Sequence, residues 1–309
     1  MSADSPKVTY PFFTLSDSSP FRFGLCDSSE KSLPPPPPSI EVHLSEASSV
    51  ESPNVDSVFI TDGLTLLKGR VSTNDVFGVS DSDLIPGKYE GGLKLWEGSI
   101  DLIKTLESEI KLANILLSGK RVLELGCGHS LPGIFAGLNG AGSVHFQDFN
   151  AEVLKHLTIP NVKYNLPNIS FGKDTGSELT KQEEQHKLLD VRFFAGDWRE
   201  VHCLLVPGSE DNNLKECEKY DVILMAETVY SLSAIQHLYN LIKKCLCHPC
   251  GVVYLAGKKH YFGVGGGTRQ FLQVVNDDGA MEASLLAEFA NGSSNVREVW
   301  KISFKATHC

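Results

Sequence analysis

Carboxylates close four short apolar runs of this chain. Glu124 ends RVLE, Asp148 ends SVHFQD, Asp197 follows VRFFAG, and Glu227 follows DVILMA with Tyr230 three residues on. Acids at the ends of successive strands suit an open parallel sheet, which collects its ligand-binding groups at the carboxyl ends of its strands. Two kinds of chemistry are available to them. An acid about twenty residues past a glycine turn can hold both hydroxyls of a ribose, which fits Asp148 behind Gly126 and Gly128. An acid and a phenol on one face of a helical turn, Glu227 and Tyr230, can hold and orient a nitrogen nucleophile.

The elements that must position these groups alternate along the chain. Strands are expected at Arg121–Leu125, Ser143–Gln147, Val191–Ala195, Asp221–Met225, Gly251–Ala256, Phe271–Val275 and Arg297–Phe304. Helices are expected at Trp96–Leu116, Pro132–Asn139, Ala151–Thr158, Ala234–Cys245 and Ala280–Asn291. The alternation implies an α/β fold: a Rossmann-like, seven-stranded, mostly parallel sheet with helices on both faces. VFITDGLTLLKGRV reads as extended segments around a turn at Asp62 and Gly63. Residues 1–56 read as a disordered Ser/Pro-rich tail with a polyproline run at Pro34–Pro38 and one aromatic island, FRFGL, from Phe21 to Leu25. Residues 57–309 form the single domain, with a polar surface insertion at Gly172–Lys187.

The glycine turn distinguishes two adenosine-containing ligands. A dinucleotide fingerprint wants a third glycine where Leu131 stands. No Lys or Arg lies in the turn, which suits a ligand without phosphates, and Glu124 just before the first glycine suits a cationic ligand end. These features favour S-adenosylmethionine. Asp197 is placed to accept from an adenine amine, and Trp198 to stack on the ring or to fill the core. Tyr261 and Phe262, in the glycine-rich run HYFGVGGG, are placed to wall a planar ring. His260 in that run reads as structural, and Cys245, Cys247, His248 and Cys250 lack a second half-site, so no metal is expected.

The bulk composition narrows the function further. With 309 residues and a net charge of -10, the chain lacks the basic surface that rewards binding to a nucleic acid backbone, so no direct nucleic acid binding is expected. No apolar run is long enough for a membrane span, and the N-terminus lacks a secretory pattern. Scattered cysteines suit reduced thiols in the cytosol or nucleus.

KYEGGLKLWEGSIDL, LELGCGHSLPG, HFQDFN, RFFAGDW, AETVY and KKHYFGVGGG occur in this order. Together they resemble the protein-histidine methyltransferases, a family of seven-strand S-adenosylmethionine-dependent enzymes acting on a large-subunit ribosomal protein. The resemblance runs from about Ser82 to the C-terminus. It implies cofactor contacts at Leu95, Trp96, Glu97, Gly98 and Ser99, at Gly126, at Gln147, Asp148 and Phe149, at Gly196, Asp197 and Trp198, and at Ala226. Glu124 and Gly128 join that set from the turn itself. Glu227, Tyr230 and Tyr261 are the expected catalytic residues. The resemblance also implies methylation of the tele ring nitrogen, a protein substrate and a location in cytoplasm and nucleus; the chain is expected to act as a monomer.

Two positions depart from the family pattern. Relatives run G-C-G-S-G where this chain has Ser130 in the last place, tolerable in a helical backbone and strained in a left-handed one. Relatives often carry serine at Ala226. A neutral imidazole supplies its lone pair near pH 7, so no strong base is needed; Glu227 or a backbone carbonyl could accept from the other ring nitrogen. The competing activity is lysine methylation on the same fold, where the amine must first lose a proton.

Overall fold

The computed structural model describes residues 35–47, 55–79, 82–166, 169–170, 188–208, 218–290, 292 and 295–306. All lie in one compact unit, Pro34–Cys309. FRFGL and the Gly172–Lys187 insertion fall outside the described residues.

Strand β1 (Ile40–Val42) precedes a hairpin of β2 (Val55–Thr61) and β3 (Leu64–Gly69). A short helix α1 (Thr73–Phe77) and the long α2 (Glu97–Lys111) follow. Then come β4 (Arg121–Leu125), α3 (Leu131–Leu138), β5 (Ser143–Asp148), α4 (Ala151–Val153), a π-turn at Leu154–Thr158, and α5 (Ile159–Asn165). The rest is β6 (Ile169–Ser170), β7 (Leu189–Ala195), α6 (His202–Leu205), β8 (Val222–Ala226), α7 (Leu232–Cys245), β9 (Val252–Lys258), α8 (Thr268–Asp278), β10 (Met281–Phe289) and β11 (Arg297–Phe304).

The main sheet runs β1-β7-β5-β4-β8-β9-β11-β10, with β6 also on β7. From β7 to β9 neighbouring strands are parallel; β11 is antiparallel to β9 and β10, and β1 is antiparallel to β7. Chain order reverses across β4, which lies between β5 and β8, so a ligand crevice opens there.

The pleat assigns each side chain to a face. Val122, Val144, Phe146 and Leu224 pack with α2 and α3 on one face. Leu123, Leu125, Ile223, Met225 and Leu255 pack with α7 and α8 on the other. Two apolar layers of this kind hold the central strands rigid beneath the crevice.

Four expectations are corrected. Phe271–Val275, read as a strand, lies in helix α8, where Phe271, Leu272 and Val275 bury one face. Within Ala280–Asn291, read as a helix, Met281–Phe289 forms β10. Its Met, Glu, Ala and Leu favour helix only weakly, and pairing with β11 along its whole length overrides them. The segment 1–56 is not all tail: Ile40–Val42 pairs with Phe193–Ala195, Val42 is buried, and Arg192 makes a bidentate ion pair with Glu41 (2.7 and 2.6 Å). Helix α2 stops at Lys111, short of Leu116, and Ala113 is left-handed just beyond it.

Candidate active site

A cleft opens at the carboxyl ends of β4, β5 and β8, under the segment that leads into α2. Leu95, Trp96 and Ser99 line it from that segment, Gly126 and Gly128 from the turn after β4, and Asp148 and Phe149 from the end of β5. Trp198, Ala226, Glu227 and Tyr230 complete the expected residues found there.

The glycine turn is tight for a physical reason. Gly126 and Gly128 have φ of +62° and +45°, where a side chain is strained, and a Cβ on Gly128 would stand 2.8 Å from the Gly92 carbonyl oxygen. The Gly128 N–H donates to Asp148 Oδ2 (3.0 Å), and the Asn150 N–H to Asp148 Oδ1 (3.1 Å). Burial pushes the Asp148 carboxyl up to about 6 although these two N–H groups pull it down. Ser130 has φ +60°, so the departure from the family glycine falls in the strained case. His129, also on the cleft wall, is held neutral: burial lowers its pKa to about 4, and its Nε2–H donates to the Leu93 carbonyl (3.0 Å).

Glu227 is the most unusual residue of the cleft. It is buried, its φ is +59°, and among the described residues its Oε1 has no hydrogen-bond partner. Its Oε2 accepts from the Tyr261 hydroxyl. Burial raises its pKa, with the Tyr261 bond, Lys258 and Arg297 pulling the other way. Non-glycine residues in left-handed backbone persist where surrounding structure forces them, and they cluster at functional sites. Here the Glu227 N–H is bound to the Ala256 carbonyl of β9 (2.8 Å), which ties this backbone down just past the end of β8.

Several expected residues are not brought to the cleft wall. Glu124 shares the pleat face of Val122, so it points at α3 and accepts from the Gly133 N–H (2.8 Å); burial pushes its carboxyl well up. Gln147 faces the opposite side of β5. There its Nε2 donates to the Gly196 carbonyl (2.9 Å) and its Oε1 accepts from Trp198 Nε1 (2.9 Å), making it a bracket between two loops. Gly196 packs on Ser39, where a Cβ would meet Oγ at 2.3 Å. Asp197 gives its carboxylate to Arg199 (2.8 and 2.9 Å); burial raises its pKa, but the Arg199 bonds outweigh this and hold it low. Glu97 is exposed and pairs with Arg297 (2.7 Å). Gly98 makes room for Glu227, whose Oε1 would lie 2.7 Å from a Cβ there.

The pairing of acids and phenols also differs from expectation. Glu227 bonds Tyr261, which stands behind it, while Tyr230 donates its hydroxyl to Glu90. Phe262, expected as a wall, is 72% exposed. The loop that carries it is nonetheless fixed to the site: the Gly266 and Gly267 N–H groups donate to the carbonyls of Tyr230 (3.0 Å) and Val229 (2.8 Å). Sequence reasoning missed Glu90, Gly92 and Thr228 on the cleft wall. Glu90 lies in the KYEGG run, where an acid beside two glycines was a usable signal. Among the described residues no group of His, Cys, Asp or Glu comes together as a metal site; Cys245 is buried and His248 packs edge-on to Phe304.

The groups on the cleft wall suit an adenosyl ligand. Asp148 supplies a carboxylate at its floor, the glycines allow close backbone approach, and three residues that line it, Glu227, Thr228 and His129, each carry a buried polar side-chain atom that makes no side-chain hydrogen bond among the described residues. Parallel strands in this order, with a glycine turn after the central strand and an acid closing the next, make a Rossmann-like α/β fold with its ligand crevice at the switch point.

No protein-family model matches the chain. A histidine protein methyltransferase 1 homolog of Dictyostelium discoideum is 42% identical over 224 residues, 72% of this chain and 61% of that protein. The Mus musculus homolog of the same name is 40% identical over 230 residues, 73% of this chain and 60% of that protein. Among solved structures, a magnesium protoporphyrin IX methyltransferase from Synechocystis PCC 6803 with bound SAH is 11% identical, with a TM-score of 0.40 over 68% of this chain and 86% of that one. The chain is thus similar to histidine protein methyltransferases over 72–73% of its length. It spans 60–61% of the length of these two relatives.

Proposed function

We propose that this chain is a protein-histidine N-methyltransferase, transferring a methyl group from S-adenosylmethionine to the tele nitrogen of a histidine. Its expected substrate is a large-subunit ribosomal protein, and the chain is expected to act as a monomer in cytoplasm and nucleus. The names of the relatives support a histidine in a protein; the tele nitrogen, the ribosomal substrate and the location rest on the sequence resemblance described above. The observation that carries the reading is the buried Glu227 carboxylate on the cleft wall, with Tyr261 on Oε2 and only the Gly98 backbone near Oε1 among the described residues.

Asp148 would hold the ribose hydroxyls, with the Gly126–Gly128 backbone beside them and Trp198 toward the base. Leu95, Trp96 and Ser99 would close the cleft above. Bound there, S-adenosylmethionine supplies a methyl group carried on a positively charged sulfur.

The chain's own residues do the rest. Glu227 Oε1 accepts the N–H of the substrate's pros nitrogen, which leaves the lone pair on the tele nitrogen. Tyr261, donating to Oε2, keeps the other carboxylate oxygen occupied and fixes which oxygen faces the substrate. Held in this way, the ring attacks with its lone pair already aimed, and orientation supplies much of the rate. The imidazolium that results keeps its pros N–H against Glu227 and later releases the proton to water.

Incubation with labelled S-adenosylmethionine and large-subunit ribosomal proteins, followed by hydrolysis and amino-acid analysis, tests this. Label in tele-methylhistidine is the expected result. Label in methyllysine, or none above a Glu227→Ala control, would refute it.

A further inference from the structure

We propose that Glu90 is a positioning residue of this active site, acting through Tyr230 to keep a hydrogen-bond donor away from the nucleophile. The proposal rests on the functional reading above and adds a residue to it.

Both oxygens of Glu90 are committed. Oε1 accepts from the Gly87 N–H (2.8 Å), and Oε2 accepts from the Tyr230 hydroxyl across the cleft. The loop that carries Glu90 is tied to the end of β5. The Glu90 N–H donates to Asn150 Oδ1 (3.2 Å), and Asn150 Nδ2 donates to the Lys88 carbonyl (2.9 Å). Glu90 is therefore held by the turn that follows Asp148, and Tyr230 is held by Glu90.

This fixes the direction of one proton. A phenol has a single O–H donor, while its oxygen also carries lone pairs. With that O–H pointed at Glu90, Tyr230 presents only acceptors to the cleft. Tyr261 repeats the arrangement against Glu227, and the two rings meet edge to face with centroids 6.5 Å apart. The cleft wall offers an acceptor at the Tyr230 phenol beside the Glu227 carboxylate, whose other oxygen Tyr261 occupies from behind. A neutral imidazole finds a partner for its N–H there, and neither phenol competes for its lone pair. Without Glu90, the Tyr230 hydroxyl turns to the nearest acceptor, and the nucleophilic nitrogen is one. The ring still binds, but its lone pair is capped.

The test is a rescue. Glu90→Ala is expected to lower the single-turnover rate about tenfold or more, the scale of one competing hydrogen bond, with peptide KM and S-adenosylhomocysteine affinity within about threefold of wild type. Glu90→Ala combined with Tyr230→Phe removes the stray donor and is expected to return to within about threefold of Tyr230→Phe alone. Glu90→Gln keeps the side chain's length and guards against collapse of the loop in the alanine variant. A double variant slower than both single ones would overturn the proposal. So would a wild-type rate in Glu90→Ala, or loss of S-adenosylhomocysteine binding in Glu90→Ala and Glu90→Gln alike.

Rates are read on whichever side chain the wild type methylates. Methyllysine in wild type would fail the histidine reading and leave this rescue intact. An arm without turnover uses 13Cζ-tyrosine spectra of the protein with S-adenosylhomocysteine bound. The Tyr230 resonance, assigned by its loss in Tyr230→Phe, is expected to move in Glu90→Ala; an unmoved resonance would overturn the proposal.

Discussion

Replacing Asp148 with asparagine tests the cleft through its cost to the fold. In the ligand-free chain burial raises this carboxyl from 3.8 to about 6. A folded-state pKa above the unfolded one gives stability that is present below the unfolded value and lost as pH rises through the folded value. The wild-type chain should therefore lose roughly 2.4 kcal/mol relative to Asp148→Asn between pH 4 and pH 7.5, taking about 1.36 kcal/mol for each tenfold difference in proton affinity. The asparagine also loses one acceptor for the Gly128 and Asn150 N–H groups, a cost of about 1–3 kcal/mol that does not vary with pH. The change with pH isolates the carboxylate for that reason. Urea unfolding of both proteins at half-unit steps of pH, without ligand, measures it. Saturating S-adenosylhomocysteine should flatten the curve, because ribose hydroxyls donating to Asp148 stabilise its charged form. A difference between the two proteins that stays constant from pH 4 to 7.5 would refute the reasoning.

Three further outcomes are expected. Ser130→Gly removes a left-handed side chain and should stabilise the chain by about 1 kcal/mol in urea unfolding; a loss of stability would mean the serine is not strained. Gly126→Ala places a Cβ 2.8 Å from Thr228 Cγ2 at φ +62°, and calorimetry should show S-adenosylhomocysteine affinity down about tenfold or more with circular dichroism unchanged. Gly265→Val puts a β-branched residue at φ +87° and a Cβ 3.0 Å from Leu232 Cδ1, in the loop that closes on Tyr230. Turnover should fall while cofactor affinity stays within about threefold; equal loss of both would remove this loop from the substrate side.

The sequence was most legible where one signal had one physical cause. Arg121–Leu125 is an apolar run ended by an acid and a glycine turn, and it forms the central strand. Asp148 followed from its distance past that turn, because the length of α3 and its loops sets how far the chain travels before the next strand ends. Glu124 and Gln147 show what spacing leaves out. Each lies next to the cleft in sequence, yet the pleat turns them to faces that α3 and Trp198 occupy. The exchange of roles between 271–275 and 280–291 has a different origin, the pairing of β10 with a strand still to come in the chain. Partners such as Glu90 and Tyr230 are joined only by the fold, so the sequence offered the residue types and not the bond.

Titration of the purified chain with S-adenosylhomocysteine is the most direct test, because every functional statement depends on the cleft above β4, β5 and β8 holding this ligand. Saturable binding of one molecule per chain, lost in Asp148→Ala and kept in Glu227→Gln, is the predicted result. No saturable binding, or binding that Asp148→Ala leaves intact, would contradict it.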